Sequence, residues 1–463
     1  MAAASGIAKT EDPRIDLLGT VQLLQEVLTE SLCESVFKAT RVTERVREWT
    51  LYALAQFWNA VILRGPETLT QALQEAQRDE AAGWPAVPAT SRQAYFKQCK
   101  NLRWIFFANL LDAFLTRILP KAKATFCSEL AALRERFPEV WVLDGSRLDA
   151  VAHRLKLLWD VRSVVLPGCL EVAYDLFRGI PRILHFDPDA AKAESKRIFE
   201  ILGRIPKGTL LLGDRLYASV ALFASLTGQD LWGLFRRNRG VKLKKVKRLR
   251  RRKIRAERVR IEDWLVDAGC GVTTPVQRLR WIRLHRDGVW YELLTNVLDP
   301  KRLTAEDAIA LYPNRWSIER LFFDLKEVLD LHCFYAANPN AVAMQVYAAA
   351  LVYTAMRVAQ AITADKADVP PDWISTAKLF PRIAAASATW TGVQIGVRQV
   401  EKLNPGVHLK KPDWRKHPFA SVPLDEVLIE PRNGPRRKRR YCKGRKHWKS
   451  FAHFSKGRTL IGS

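Results

Sequence analysis

The sequence is short of acids, of clustered histidines and of paired cysteines, and each shortage removes a class of protein. Seven cysteines (Cys33, Cys99, Cys127, Cys169, Cys270, Cys333, Cys442) are scattered over 463 residues. None forms a C-x-x-C pair or has a histidine at zinc-finger spacing, so a disulfide framework and a structural zinc module are excluded and the thiols read as reduced core residues. The eight histidines are dispersed, and no Ser-His-Asp grouping suggests a hydrolytic triad. Residues 1–16 are small or charged without an apolar stretch, so a secretory signal is not expected and the chain reads as cytoplasmic. The longest uncharged apolar run, residues 341–356, is too short for a bilayer span and ends at Arg357, which makes it a buried helix. What is present is apolar and aromatic: 48% apolar residues with 15 Trp and 20 Phe exclude a disordered polyelectrolyte and suffice for more than one core.

The acid deficit is local. Against 75 Lys+Arg stand 48 Asp+Glu, a formal charge of +27. Residues 236–260 hold 15 Lys/Arg and one acid, Glu257, and residues 431–450 hold 10 Lys/Arg and no acid. Those blocks carry +14 and +10, leaving a body of +3. A single such run is usually a solvated face or tail, but two blocks holding nearly all the excess point to a polyanion touched at defined places.

Periodicity divides the chain into five parts. Residues 1–138 read as an all-helical domain, with helices over 17–37, 44–63, 67–76 and 103–119. Such domains serve as DNA-end readers or as plain scaffolds, and no recognition helix stands out. Residues 139–236 switch to a mixed α/β pattern: a strand over 140–143 closed by a turn at 144–146, strands over 170–176 and 182–186, a helix over 190–202, a strand over 209–213, a helix over 217–226 and a strand over 230–235. Asp144 and Asp214 then fall at strand ends, where open α/β sheets place their sites. Residues 237–295 read as a basic β-rich insertion, 296–410 as the core resumed, with helices over 314–331 and 341–362, and 411–463 as a poorly ordered basic tail.

The sharpest signal is Tyr312, Arg315, Glu319 and Lys326, spaced Tyr-x2-Arg-x3-Glu-x6-Lys. At 100° per residue Arg315 and Lys326 lie about 40° and 20° from Glu319, so the three form one stripe beside the apolar stripe of Ile318, Phe322, Leu325 and Leu329. An exposed Arg-Glu-Lys ion-pair helix is the plain alternative. Asp149, Asp324 and Glu327 lie off the stripe or past the strand end and read as solvated acids.

This signature resembles the YREK family of DDE transposases of bacterial insertion sequences, and Asp144 in Leu-Asp-Gly-Ser and Asp214 in Leu-Gly-Asp-Arg are similar to its two catalytic aspartates in order and context. The resemblance runs over about residues 140–356. It implies an RNase H-like, retroviral integrase-like core carrying the insertion, and a protein of the bacterial nucleoid that binds the terminal inverted repeats of its element. It also implies two Mg2+ ions, with Mn2+ able to substitute, on Asp144, Asp214 and Glu319, and strand cleavage, hairpin formation and strand transfer by a homodimer on double-stranded DNA. The residue types suit that chemistry, because hard carboxylate oxygens hold Mg2+ and two ions can activate one oxygen and stabilise another. Asp144 would bridge the ions, Arg315 and Lys326 would grip flanking phosphates, and Tyr312 would donate to another phosphate oxygen. The family stacks a flipped base on an aromatic of the insertion; here Trp290-Tyr291-Glu292-Leu293-Leu294-Thr295 resembles that segment and offers Tyr291 or its neighbour Trp290. Arg236, Arg237 and Arg239 would meet the transferred strand near the site. A catalytically silent, DNA-binding repressor of transposition is the competing reading, against which the three intact acids argue.

Overall fold

The structure, a computed structural model, describes residues 14–78, 87–148, 168–189, 194–254, 259–269, 275–331, 334–336, 338–404, 409 and 413–429. In chain order come β1 (Arg14–Asp16), α1 (Gly19–Val27), α2 (Glu30–Thr40), α3 (Leu51–Arg64), α4 (Leu69–Arg78), α5 (Arg92–Asn101), α6 (Ile105–Ile118) and α7 (Ala131–Arg136). The α/β portion follows: β2 (Val140–Arg147), β3 (Cys169–Asp175), β4 (Ile180–Asp187), α8 (Glu194–Ile201), β5 (Leu210–Gly213), α9 (Val220–Gly228) and β6 (Trp232–Arg236). Next are β7 (Leu243–Ile254), β8 (Val259–Ala268), β9 (Gln277–Arg286), β10 (Val289–Thr295), α10 (Ala305–Leu311), α11 (Ser317–Phe323), α12 (Pro339–Lys366), α13 (Thr376–Leu403) and β11 (Ser421–Pro423).

These elements form two units, one from the described residues of 1–125 and 324–431, the other from those of 126–323. The boundaries drawn at 138, 236, 295 and 410 do not coincide with them, because helices distant in sequence share a core. In the helical unit α12 packs against α1, α3, α5 and α6. It is long and apolar enough to cross a membrane, yet its most apolar window is wholly buried among these neighbours, as expected of a core helix. The expected helix over 17–37 breaks at Thr29, whose hydroxyl accepts the Leu32 N–H at 3.2 Å and starts α2. The one expected over 44–63 begins only at Leu51, because Thr50 caps α3 through the Ala53 N–H. Residues 413–429 are not a tail: β11 pairs antiparallel with β1, Ile15 opposite Val422. The basic run over 431–450 and Asp149 lie outside the described residues.

The second unit is built on one nine-stranded sheet, ordered β4-β3-β2-β5-β6-β10-β9-β8-β7. Strands β2, β5 and β6 are parallel neighbours, β3 is antiparallel to β2 and β4, and the four strands after β6 form an antiparallel meander. The insertion is therefore a continuation of the core sheet, joined where Leu293 lies opposite Arg236. Its most basic strand, β7, ends the order, so its cations blunt an open edge. Within the meander Arg280 is fully buried, paired with Asp263 at 2.5 Å and donating to the carbonyls of Val297, Asp299 and Leu303. One arginine of the basic insertion, outside the 236–260 block, thus fastens the meander to the segment leading into α10.

Two local expectations change. β2 does not turn at residues 144–146: it runs on to Arg147, with Asp144 opposite Val172 and Gly145 opposite Glu171, because β3 supplies an antiparallel partner that satisfies the backbone there. The single helix expected over 314–331 is three segments, a 3₁₀ turn Tyr312–Trp316, α11, and a π-helix Asp324–Val328. The π segment breaks the 3.6-residue period, so the angle reckoned between Glu319 and Lys326 does not hold. Asp324, expected at the surface, is buried and accepts the Thr376 hydroxyl at 2.7 Å.

Candidate active site

The register of β2 and β5 brings the two aspartates together. Val142 lies opposite Leu212 in the parallel pair, and Asp144 and Asp214 each stand two residues further on. Side chains alternate along a strand, so Asp144 continues the row of Val142 on the face it shares with Leu212, and Asp214 is the first residue past the end of β5, the neighbouring strand. Asp144 accepts the Gly145 N–H at 3.0 Å, and Asp214 accepts the Leu216 N–H at 2.6 Å through its Oδ1, which tightens the turn leaving β5.

α11 lies against β2 with Ile318 and Leu321 buried, and Arg315 bridges its Glu319 to Asp144. Arg315 lies one turn earlier and is 6% exposed. Its Nη1 stands 3.5 Å from Asp144 Oδ2 and its Nη2 stands 3.4 Å from Glu319 Oε1, so one guanidinium spans both carboxylates, backed by the Trp316 ring. Partial burial raises the Glu319 carboxyl above its usual range, and Arg315 opposes that shift. Arg315, expected to hold phosphates, stands between Asp144 and Glu319 as their counter-charge.

Tyr312, expected to donate to a phosphate oxygen, is buried, and its hydroxyl donates to the Gly213 carbonyl at 3.1 Å, immediately before Asp214. Burial and the neighbouring Asp214 push the phenol well above its usual range, so it stays a neutral donor. It ties the start of the Glu319 segment to the end of the Asp214 strand. Lys326 lies on the π-helical segment, in the other unit.

Strand alternation sorts the remaining candidates. From Leu212 opposite Leu234, and Arg236 opposite Leu293, the face of Asp144 includes Arg236 and Tyr291. Arg237 and Trp290 belong to the opposite face. There Arg237 pairs with Glu292 at 3.1 Å and lies over the Trp281 ring at 4.6 Å. Trp290 lies beneath Arg283 at 3.9 Å, with His285 and Arg260 beside it. Both are thus built into a ladder of tryptophans and cations. The β10 register also carries Tyr291 past the end of β6, on the side where β5 releases Asp214.

Asp144 within β2, Asp214 just past β5 and Glu319 on α11 offer hard oxygen donors, and the cation between Asp144 and Glu319 is a side chain of the site itself. This donor set fits a divalent metal ion. Among the described residues, the metal-compatible group with ligand atoms within 4.8 Å of one another is a different one, His185, Asp187 and Glu200. It belongs to the opposite face, since His185 lies in one row with Glu171 and Gly145. Sequence reading missed this group, because its members are joined only by the register of β4 against α8.

Comparison with known proteins places these residues in a family context. Residues 168–355 match the family described as the transposase DDE domain. The chain is 42% identical over 85 residues to y4zB of Sinorhizobium fredii (strain NBRC 101917 / NGR234), a protein with a provisional transposase name. That match covers 18% of this chain and about a fifth (22%) of the relative's own length. Among solved structures, the piggyBac transposase synaptic complex with hairpin DNA aligns over 94% of this chain and 90% of that one, at 8% identity and a TM-score of 0.36. The family match runs through Asp214 and Glu319, and together with the Sinorhizobium relative it supports a DDE transposase.

Proposed function

We propose that the protein is a cut-and-paste DNA transposase of the YREK branch, with an RNase H-like core, acting in the bacterial cytoplasm as a dimer on two element ends. The observation that carries this reading is the placing of Asp144 on β2 and Asp214 just past neighbouring β5, with Arg315 bridging Asp144 to Glu319 on α11. The mixed order β4-β3-β2-β5-β6 supports the RNase H-like assignment.

Asp144, Asp214 and Glu319 would hold the metal ions. When bound, a pair of Mg2+ or Mn2+ ions supplies an activated oxygen nucleophile and stabilises the leaving oxygen. Arg315 keeps Asp144 and Glu319 from repelling each other before DNA and metal arrive. Tyr312 fixes the spacing of the Asp214 strand and the Glu319 helix. Arg236, on the face of the acids, is placed to meet the strand backbone, and Tyr291, on the same face beyond β6, to stack an unpaired base during hairpin formation. Lys326 keeps the phosphate role that its motif suggests.

The test uses end-labelled element DNA and Mg2+, with the wild type beside Asp144→Asn and Glu319→Gln. The expected result is nicks and hairpins from the wild type, loss of about a thousandfold or more in each variant, and unchanged DNA binding. A wild type that binds but never cleaves would establish the repressor reading in its place.

A further inference from the structure

Away from the acids, the loop between α2 and α3, residues 41–50, is largely exposed. It holds two of the most exposed large apolar side chains among the described residues, Val42 at 79% and Val46 at 68%. Around them stand Arg41, Arg45 and Arg47, all exposed. Beside them is a cavity of about 210 Å³ lined by Phe37, Trp49, Leu51 and Leu102, with Glu30 and Glu34 also in its wall. Apolar side chains beside an apolar cavity would ordinarily fold into it. Val46 reaches only the rim of the cavity and Val42 stays clear of it, because the loop is held in shape from inside.

The holder is Glu44. Its carboxylate accepts the N–H groups of Val42 and Thr43 at 2.8 and 3.2 Å and the Arg103 guanidinium at 2.5 Å, while Arg103 also donates to the Thr40 carbonyl at 3.3 Å. Arg103 holds the Glu44 carboxyl down to about 2, so the pair stays ionised through the physiological range. At the other end Trp49 is buried and its indole N–H donates to the Thr90 hydroxyl at 2.7 Å. The loop's inner acid is therefore neutralised at its base and Glu48 sits at its foot, leaving the outer surface to arginines and valines in alternation. A preorganised loop pays little conformational entropy on binding.

We propose that residues 41–47 form a DNA-docking loop that enters the minor groove, the arginines lying along its walls and Val42 and Val46 pressing on the base edges. Minor-groove binders combine these two side-chain types, because narrow A·T grooves attract guanidinium groups and small apolar wedges bend the base steps. A protein-binding patch of this size would centre on contiguous apolar anchors; here every valine is flanked by arginine. The inference rests on the reading of the protein as a DNA transposase and adds to it an element in the helical unit that reads the groove.

The experiment uses the full-length protein and fluorescence anisotropy at physiological salt with duplexes of about 30 bp, one of alternating A·T and one of alternating G·C sequence. The wild type should prefer the A·T duplex, and the minor-groove ligand netropsin should abolish that preference. Arg45→Ala/Arg47→Ala should weaken A·T binding about tenfold and flatten the salt dependence by about two phosphate contacts. Val42→Ser/Val46→Ser should remove the preference and leave the salt dependence unchanged. The proposal is overturned if the wild type shows no A·T preference, if netropsin has no effect, or if both double variants bind like the wild type, the outcome expected of a protein-docking loop. Cleavage of element DNA by the same preparations separates the two readings: cleavage with unaltered loop variants sinks the loop alone, and no cleavage with altered loop variants sinks the transposase alone.

Discussion

Carboxylates held near one another repel, and in the proposed metal site the residues beside Asp144, Asp214 and Glu319 offset that repulsion or fix the spacing. Arg315 and Tyr312 do this work differently. Arg315 supplies charge, while Tyr312 supplies one hydrogen bond from a neutral phenol to the Gly213 carbonyl. Tyr312→Phe keeps the ring and removes the bond, leaving a buried carbonyl short of its donor. It should cost about 1–2 kcal/mol in a urea melt and lower Mg2+-dependent cleavage about tenfold at saturating DNA, with affinity unchanged. An equal loss of affinity and cleavage would return Tyr312 to a phosphate-binding role. Strand alternation yields a second expectation. Tyr291→Ala should reduce hairpin yield several-fold while first-strand nicking persists, because stacking is worth about 1–3 kcal/mol per base. Trp290→Ala, which removes a rung from the cation ladder, should lower stability and leave the ratio of hairpin to nick unchanged. The reverse pattern would place the stacked base on the other face.

Elements show where sequence reading reaches and where it stops. Asp144, Asp214 and Glu319 could be picked out because each sits beside a strong local signal, a buried strand or a helical motif. Neither the extension of β2 through Gly145-Ser146 nor the π segment after Phe323 could be, because each depends on what a distant partner offers: β3 in one case, and Thr376, which binds Asp324, in the other. For the same reason the basic insertion looked uniform in sequence, yet folded it separates Arg280, an internal fastener, from the exposed cations of β7. Arg280→Ala should destabilise the protein by about 3–5 kcal/mol, since it strands buried Asp263. Adding Asp263→Leu should recover part of that loss, because the unpaired charge is gone and only the three carbonyls lack their donor. Thermal unfolding of both variants decides it: no recovery would mean that the carbonyl bonds, rather than the ion pair, carry the energy.

For the whole molecule, the decisive fact is that Asp144, Asp214 and Glu319 come from one unit of one chain. A proposed dimer on DNA then holds two complete sites, whichever end each of them serves. Mixing Asp144→Asn protein with Glu319→Gln protein cannot rebuild a site, so the mixture should cleave no better than either variant alone. Diluting wild type with Asp144→Asn is more informative. If both sites must act to release the element, double-end release should fall as the square of the wild-type fraction, while single-end nicking falls linearly. Both products can be measured on one gel from a substrate carrying two ends. Recovery of cleavage in the first mixture would mean that acids are shared between chains, against the Arg315 bridge that joins Asp144 and Glu319 within one chain. Linear loss of double-end release in the second would mean that one site processes both ends.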